Sequence, residues 1–267
     1  MPMNPPDPES VTIDKLLHIM QRLRDPERGC PWDQQQDFRT IAPYTLEEAC
    51  EVVDAIERNN PDDLRDELGD LLFQVVFHAQ MAREAGWFDF SGVINSICDK
   101  MVRRHPHVFA GAVVSNAEEQ TRAWEEHKER ERGPGNGNTL DGIPLSLSAL
   151  TRAGKIQKRA AKTGFDWPNI DEVFAKVTEE IDELREEINA GSDTGRVRDE
   201  TGDLLFAVVN LARHAGVDPE SALREANSKF IRRFRKVEAR CRNAGSRVQE
   251  TDLTTLDNFW EQAKLEE

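Results

Sequence analysis

LRDELGDLLFQVVFHAQMA at residues 64–82 and VRDETGDLLFAVVNLARHA at residues 197–215 are one segment written twice in a chain of 267 residues. Both copies carry GDLLF, at 69–73 and 202–206, and the match extends outward on either side. Earlier in each half, LEEACEVVDAI (46–56) aligns with TEEIDELREEI (178–188), and further upstream MQRLRDPERGCPWD (20–33) parallels KIQKRAAKTGFDWP (155–168). Downstream, Lys100 and Arg104 correspond to Lys229 and Arg233, then Trp124 and Lys128 to Trp260 and Lys264. Order and approximate spacing hold throughout, so the chain reads as a duplicated module. The mid-chain stretch ERGPGNGNTLDGIP (131–144) is dense in Gly, Asn and Pro and reads as the linker. The expected division is therefore 1–130, a linker over 131–144, and 145–267.

Each module reads as about four helices, which makes the fold class all-α. A first helix is expected near 11–24 and near 146–162, a second carries the EExxE segment, and a third follows Pro61-Asp62 and runs to about Ala85. Gly86 and Gly216 suit the residue just past the third helix. Asp218-Pro219 reads as an N-cap followed by Pro at the first helical position, opening a helix from 219 to 243. Ser115 or Asn116 before Glu118-Glu119 reads as another helix start. The third helix is apolar on most of its circumference, with Leu68, Leu71, Leu72, Val75 and Ala79 on one side and Phe73, Val76 and Phe77 on another. Such a helix calls for burial nearly all round, and one small module does not supply that. Bundles completed by dimerisation are expected.

Composition narrows the function. Apolar residues are 38% and charged residues 32%, which suits amphipathic helices with wide solvated faces. The formal net charge of −15 disfavours nucleic acid polymers and anionic membranes as partners. No run of about 18 apolar residues exists to span a membrane, and MPMNPPDPES at 1–10 is expected to fray. Cys30, Cys50, Cys98 and Cys241 show no metal-binding spacing. With no signal-like stretch they read as ordinary thiols of a reducing cytoplasm.

The informative residues are acids. Glu47, Glu48 and Glu51 on the second helix and Glu67 and Asp70 on the third recur as Glu179, Glu180, Glu183, Glu200 and Asp203. Residues three apart share a helix face, so antiparallel packing of these helices brings four carboxylates together. Two carboxylates about 5 Å apart repel by roughly 3 kcal/mol at an effective dielectric near 20. Asp70 and Asp203 also adjoin the most apolar run of each half, where an unpaired charge is costly. Four such groups call for cations, and an all-oxygen set favours Mg²⁺ or Mn²⁺ over zinc.

EExxE followed after 15 or 16 residues by ExxD resembles the signature of the MazG family of nucleotide pyrophosphohydrolases. The resemblance covers nearly the whole chain, including the two-module form and the segments RLRDPERGCPWD, RRHPHVF and KTGFDW. It implies two tandem MazG-like four-helix modules, a homodimer, a Mg²⁺ cofactor, and cleavage of the α–β phosphoanhydride of NTPs or dNTPs to give the monophosphate and pyrophosphate. Broad base tolerance and a housecleaning role in nucleotide pools come with it. By resemblance the metal ligands are Glu180, Glu183, Glu200 and Asp203, with Glu48, Glu51, Glu67 and Asp70 as N-terminal counterparts. Glu179 and Glu47 are candidates for positioning or deprotonating the attacking water.

Hydrolysis of a phosphoanhydride needs charge neutralisation and an in-line water rather than covalent help, and no Walker A motif is present to hold phosphates. Lys176, Arg196, Lys229 and Arg233 are candidate triphosphate partners, Lys264 another, and Trp260 offers a face to the base or anchors its helix. In the N-terminal half Tyr44 replaces Lys176 and Asp63 replaces Arg196. The C-terminal module is thus expected to be the main catalyst. His105 and His107, separated by Pro106, read as structural. Other readings are a pyrophosphohydrolase for dUTP or phosphoribosyl-ATP, a di-iron carboxylate bundle, which wants ExxH where this chain has ExxD, and a non-catalytic nucleotide sensor.

Overall fold

The computed structural model describes residues 12–111, residue 116 and residues 138–266, and every regular element among them is helical. The segment 1–10, the helix start near Ser115 and Glu118, the pair Trp124 and Lys128, and the linker residues 131–137 lie outside the described residues. The chain divides into two units, Met1–Pro134 and Gly135–Glu267, and this division falls within 131–144.

Unit 1 contains α1 (Ile13–Leu23), α2 (Pro31–Gln35), α3 (Phe38–Glu57), α4 (Pro61–Glu84), α5 (Phe90–Arg104) and the short α6 (Pro106–Phe109). Unit 2 contains α7 (Ala149–Ala161), α8 (Ile170–Asn189), α9 (Thr194–His214), α10 (Pro219–Asn243), a 3₁₀ turn (Val248–Glu250) and α11 (Leu253–Leu265). The EExxE segments lie on α3 and α8 and the ExxD segments on α4 and α9. Each pair packs as a helical hairpin, the most extensive helix contact of its unit.

Local chemistry explains the boundaries. Asp37 caps α3, accepting from the amides of Arg39 and Thr40, while the Thr40 hydroxyl accepts from the Asp37 amide at 2.9 Å. Asn60 caps α4 with Pro61 at the first helical position, and Asp193 caps α9. Between hairpin helices the chain leaves α3 through Asn59 (φ 52°) and α8 through Gly191 (φ 65°), both left-handed. The second loop is one residue longer, so 15 residues separate Glu51 from Glu67 and 16 separate Glu183 from Glu200. The additional residue is absorbed in the turn and the acids keep their places on the helices.

The core of unit 1 is Met20, Ile41, Val76, Phe77 and Met81, packed by Leu16, Leu17, Phe38, Phe73 and Phe90. One face of α4 is thus buried, as its Phe73, Val76 and Phe77 pattern predicts. The opposite side is buried at Ala79 but not along its leucines: Leu68 is 49% exposed, and in unit 2 Leu205 is 54% exposed.

Arg24 ties α1 to α4. Its guanidinium reaches Glu84 at 2.6 Å, donates to the carbonyls of Asp33 and Gln36, and lies over the Phe77 ring at 5.4 Å. Burial pushes the Glu84 carboxyl up, but hydrogen bonds from Arg24 and Gln80 outweigh it and leave it below its usual value. Unit 2 makes the same join with charges reversed: Asp166, in the loop after α7, meets Arg213 and His214 of α9. The hydrogen bonds from Arg213 hold Asp166 below the ordinary carboxylate range despite burial. Arg24→Ala removes a donor from two carbonyls and the ion-pair partner of Glu84 together, so a loss of about 3 kcal/mol in unfolding free energy is expected. Urea denaturation of the full chain measures it; a loss under about 1 kcal/mol, the range of an exposed pair, would mean the clamp contributes little.

The four cysteines are free, Cys241 buried, Cys50 and Cys98 exposed, and Cys30 between. No helix among the described residues is long and apolar enough to cross a membrane.

Candidate active site

Two acid clusters form, one in each hairpin. In unit 1, Glu48 from α3 meets Glu67 and Asp70 from α4; in unit 2, Glu180 from α8 meets Glu200 and Asp203 from α9. In each triad one carboxylate oxygen per residue lies within 4.8 Å of the others. Glu51 and Glu183 are not members of the triads, although Glu51 is in hydrogen-bond contact with Glu67. Residues three apart on a helix are offset by about 60° around its axis, and here Glu48 and Glu180 take the inner position. The neighbours remain coupled. Glu183 is pushed up by desolvation and then by repulsion from Glu180, with Glu179 and Glu200 adding and Lys176 opposing. Glu67 is raised by desolvation and then by Glu51.

The buried acid is not the one that the apolar run suggested. Asp70 and Asp203 are exposed in their units, because the leucines flanking them, Leu68, Leu72 and Leu205, are themselves uncovered. The buried group is Glu180, at 5% exposure. One of its oxygens, Oε1, meets the Lys176 ammonium at 2.8 Å, while Oε2 is buried without a hydrogen-bond partner. A buried carboxylate oxygen facing no donor is costly, and a cation satisfies it. This orphaned oxygen, with two further carboxylates within reach, is the observation that fits a metal to unit 2.

Lys176 also pairs with Glu179 at 3.0 Å, and its pKa is raised by the hydrogen bonds to Glu180 and Glu179. It therefore compensates the cluster instead of projecting away from it. Arg196 is turned toward Glu187 at 2.7 Å. Lys229 is exposed on α10, whose main neighbour is α11. On α11, Trp260 packs on Phe230, ring centroids 5.1 Å apart, with the Arg233 guanidinium 5.9 Å from its ring centre. Lys264 pairs with Glu261 at 2.5 Å. Glu47 and Glu179 are exposed on α3 and α8.

The unit 1 cluster differs at two neighbours. Tyr44 stands in place of Lys176, so among the described residues no cation pairs with Glu48, Glu67 or Asp70. Desolvation pushes Glu48 up, and repulsion from Asp70, Glu51 and Glu67 adds to it. Gln74, where unit 2 has Ala207, is buried and brings its Nε2 to 3.4 Å from Glu48 Oε1. Sequence reasoning passed over this residue; the signal was the single Q/A break after GDLLF.

Unit 2 holds a cavity of about 480 Å³, lined among others by Gln157, Phe165, Trp167, Phe206, Asn210 and Arg213. Asn210 occupies the position of Phe77, whose ring fills the unit 1 core. Asp203 and Asn210 are seven apart on α9, hence on one side of it. Three histidines are held by neighbouring residues. His78 is hydrogen-bonded to the Thr45 hydroxyl at 3.1 Å and stacked on Phe38, His214 meets Asp166, and His105 donates to the Met101 carbonyl at 2.7 Å. None belongs to an acid cluster among the described residues, so the di-iron arrangement is not formed.

The family description "MazG nucleotide pyrophosphohydrolase domain" matches residues 36–109 and again 169–238, together more than half of the chain. A protein of Escherichia coli strain K12 named nucleoside triphosphate pyrophosphohydrolase is 56% identical over 96% of this chain and 98% of its own length. A Thermotoga maritima protein named nucleoside triphosphate pyrophosphohydrolase/pyrophosphatase MazG is 41% identical over 95% of this chain and 96% of its own. A Mycobacterium tuberculosis protein named nucleoside triphosphate pyrophosphohydrolase is 29% identical over 97% of this chain and 70% of its own.

Proposed function

We propose that this chain, which belongs to the MazG nucleotide pyrophosphohydrolase family, hydrolyses nucleoside triphosphates between the α and β phosphates, releasing the monophosphate and pyrophosphate. The observation that carries the reading is the Glu180, Glu200 and Asp203 triad with its unsatisfied buried oxygen, in a chain so close to named pyrophosphohydrolases. On this reading Glu180, Glu183, Glu200 and Asp203 hold Mg²⁺, with Mn²⁺ as a substitute. A divalent ion bound there would screen the phosphate charge and acidify a water. Glu179, held by Lys176 beside the triad, accepts the proton of the attacking water. Lys176, Arg196, Lys229 and Arg233 neutralise the triphosphate. For Lys176 and Arg196 this requires exchange of a carboxylate partner for a phosphate, and both sit on the acid hairpin where that exchange is short.

Broad base tolerance follows from a site that offers aromatic surface and few fixed polar partners. Trp260 is already met by Phe230 and Arg233. The cavity beside Phe165 and Trp167 lies one to two turns along α9 from Asp203 and is the better receiver for a base. The exposed leucines of α4 and α9 fit burial against a second copy of the chain, so the working form is read as a homodimer.

The deciding test is to incubate the full chain with each NTP and dNTP, with Mg²⁺ or with EDTA, and to separate the products. Monophosphate plus pyrophosphate, lost in EDTA, is expected for several bases. Diphosphate plus phosphate would mean that a different bond is cut. Sedimentation of the same sample is expected to give twice the chain mass, and a monomer mass would remove the dimer from the reading.

A further inference from the structure

We infer that the unit 2 cavity reads a nucleobase by its pairing edge: the side-chain NH₂ of Asn210 donates to an acceptor on the base, and Gln157 Oε1 accepts from the adjacent base N–H. The inference rests on the reading above that this cavity receives the base. It adds how one site takes many bases and which bases it refuses.

Asn210 is held in one orientation. Its Oδ1 accepts from Arg213 Nε at 3.0 Å and from Arg213 Nη2 at 2.8 Å. A guanidinium offers donors alone, so the amide atom that faces it is the oxygen. Arg213 is fixed in turn by Asp166, whose Oδ2 accepts from Nη1 at 3.0 Å. The Asn210 NH₂ is thereby turned away from Arg213, and no described residue accepts from it. That donor is left for a guest of the cavity that Asn210 lines.

Gln157 supplies the opposite polarity. It lines the same cavity, is 7% exposed, and donates from Nε2 to the Phe206 carbonyl at 2.8 Å. Along an α-helix that carbonyl is also the acceptor of the Asn210 backbone N–H, so Gln157 meets α9 at the turn that carries Asn210. Gln157 Oε1 is buried without a hydrogen-bond partner, a state that buried polar atoms seldom keep. Phe165, Trp167 and Phe206 give the cavity aromatic surface for a planar ring, and its volume of about 480 Å³ is that of a small-molecule site.

A donor beside an acceptor is a demand that each unmodified base meets. Guanine and uracil present a carbonyl next to a ring N–H; adenine and cytosine present a ring nitrogen next to an amino group. The site therefore takes all of them and refuses a base whose edge is closed. In 1,N6-ethenoadenine the bridge removes the N1 lone pair and the N6 hydrogen together. Unit 1 has Phe77 in place of Asn210, with its ring in the core, and lacks this reader.

Titration calorimetry of the full chain in Mg²⁺ tests this without turnover. The probes are α,β-methylene-ATP, whose bridged bond is not hydrolysed, and its 1,N6-etheno derivative. Wild type is expected to bind the unmodified analogue at least about tenfold more tightly, the scale of one or two lost hydrogen bonds in a closed site. Asn210→Leu is expected to weaken the unmodified analogue about tenfold and to leave the etheno derivative within about threefold. Equal affinities in wild type overturn the inference, as does unchanged binding in Asn210→Leu. Equal weakening of both probes makes Asn210 structural and overturns it too. A preference lost because the etheno derivative gains affinity would mean that the wall excludes bulk only, and this also overturns it. If circular dichroism shows Asn210→Leu unfolded, Asn210→Asp decides, since it keeps the size and replaces the donor by an acceptor: a retained preference overturns the inference. Pyrophosphate release without edge discrimination sinks this inference alone, and edge discrimination without turnover sinks the pyrophosphohydrolase reading alone.

Discussion

Glu180→Gln in the full-length protein is expected to lower pyrophosphate release at least about 10²-fold, the scale seen when one fixed electrostatic group is removed from a reacting site. It is also expected to leave the melting temperature in divalent-free buffer unchanged or higher. The two halves of this expectation come from one side chain. Glu180 is the most buried acid of its cluster, and Oε2 has no hydrogen-bond partner. A charge held in that way destabilises the empty fold, because its lost hydration is only partly replaced by Lys176. Glutamine keeps the shape, removes the charge, and offers a donor to Glu200 or Asp203. Lys176 keeps Glu179 as a partner at 3.0 Å. A side chain whose neutralisation helps the fold and harms turnover is held for function. Turnover within about threefold of wild type would remove Glu180 from the metal set. A large fall in melting temperature would instead make the ion pair with Lys176 structural. The far-UV circular dichroism of the variant separates a lost site from a lost fold.

Much of this arrangement was legible before any coordinates. The twice-written GDLLF segment gave the third helix of each half and the place of its acids, and the paired EExxE segments gave their partners. Asp218-Pro219 caps its helix as its sequence implies, whereas the cap Asn60, which starts α4 at Pro61 and not after Pro61-Asp62, is a residue that the sequence reading passes over. What periodicity could not supply was depth. A helical wheel puts Glu48 and Glu51 together but does not say which of two neighbouring directions the partner helix takes, so the inner places of Glu48 and Glu180 had to come from packing. The apolar run after Asp70 and Asp203 suggested burial for the aspartates, yet that run presents a side that stays uncovered in the chain by itself. Lys176 was recognisable as a cation near the acids, but not as the partner of two of them. The two exchanges that distinguish the halves most, Gln74 for Ala207 and Phe77 for Asn210, are single breaks in a repeat. They read as neutral variation until one is found against a carboxylate and the other beside a cavity.

Disabling the clusters one at a time in the full chain is expected to separate them sharply. Glu200→Ala with Asp203→Ala should lower pyrophosphate release at least about 10²-fold, and Glu67→Ala with Asp70→Ala should leave it within about threefold. The acids alone do not predict this difference, since both triads bring their carboxylate oxygens within 4.8 Å of one another. Their surroundings do. Transfer to water of a phosphoryl group carrying several negative charges depends on positive groups placed along it. Unit 2 has Lys176 on the triad and Arg196 at the head of the same hairpin, paired with Glu187. At the matching place in unit 1, Asp63 is itself an acid, pairing with Arg58 at 2.9 Å, and Tyr44 carries no charge. A triphosphate approaching unit 1 meets four hairpin carboxylates with no cation on them among the described residues, and Coulomb repulsion at such distances amounts to several kcal/mol before any ion is bound. A single ion there offsets part of this charge but brings no side-chain contacts for the β and γ phosphates. Equal loss in the two double variants would mean that both hairpins contribute to one composite site. Loss confined to the unit 1 variant would invert the assignment, and would imply that the phosphate partners come from residues beyond Lys176 and Arg196.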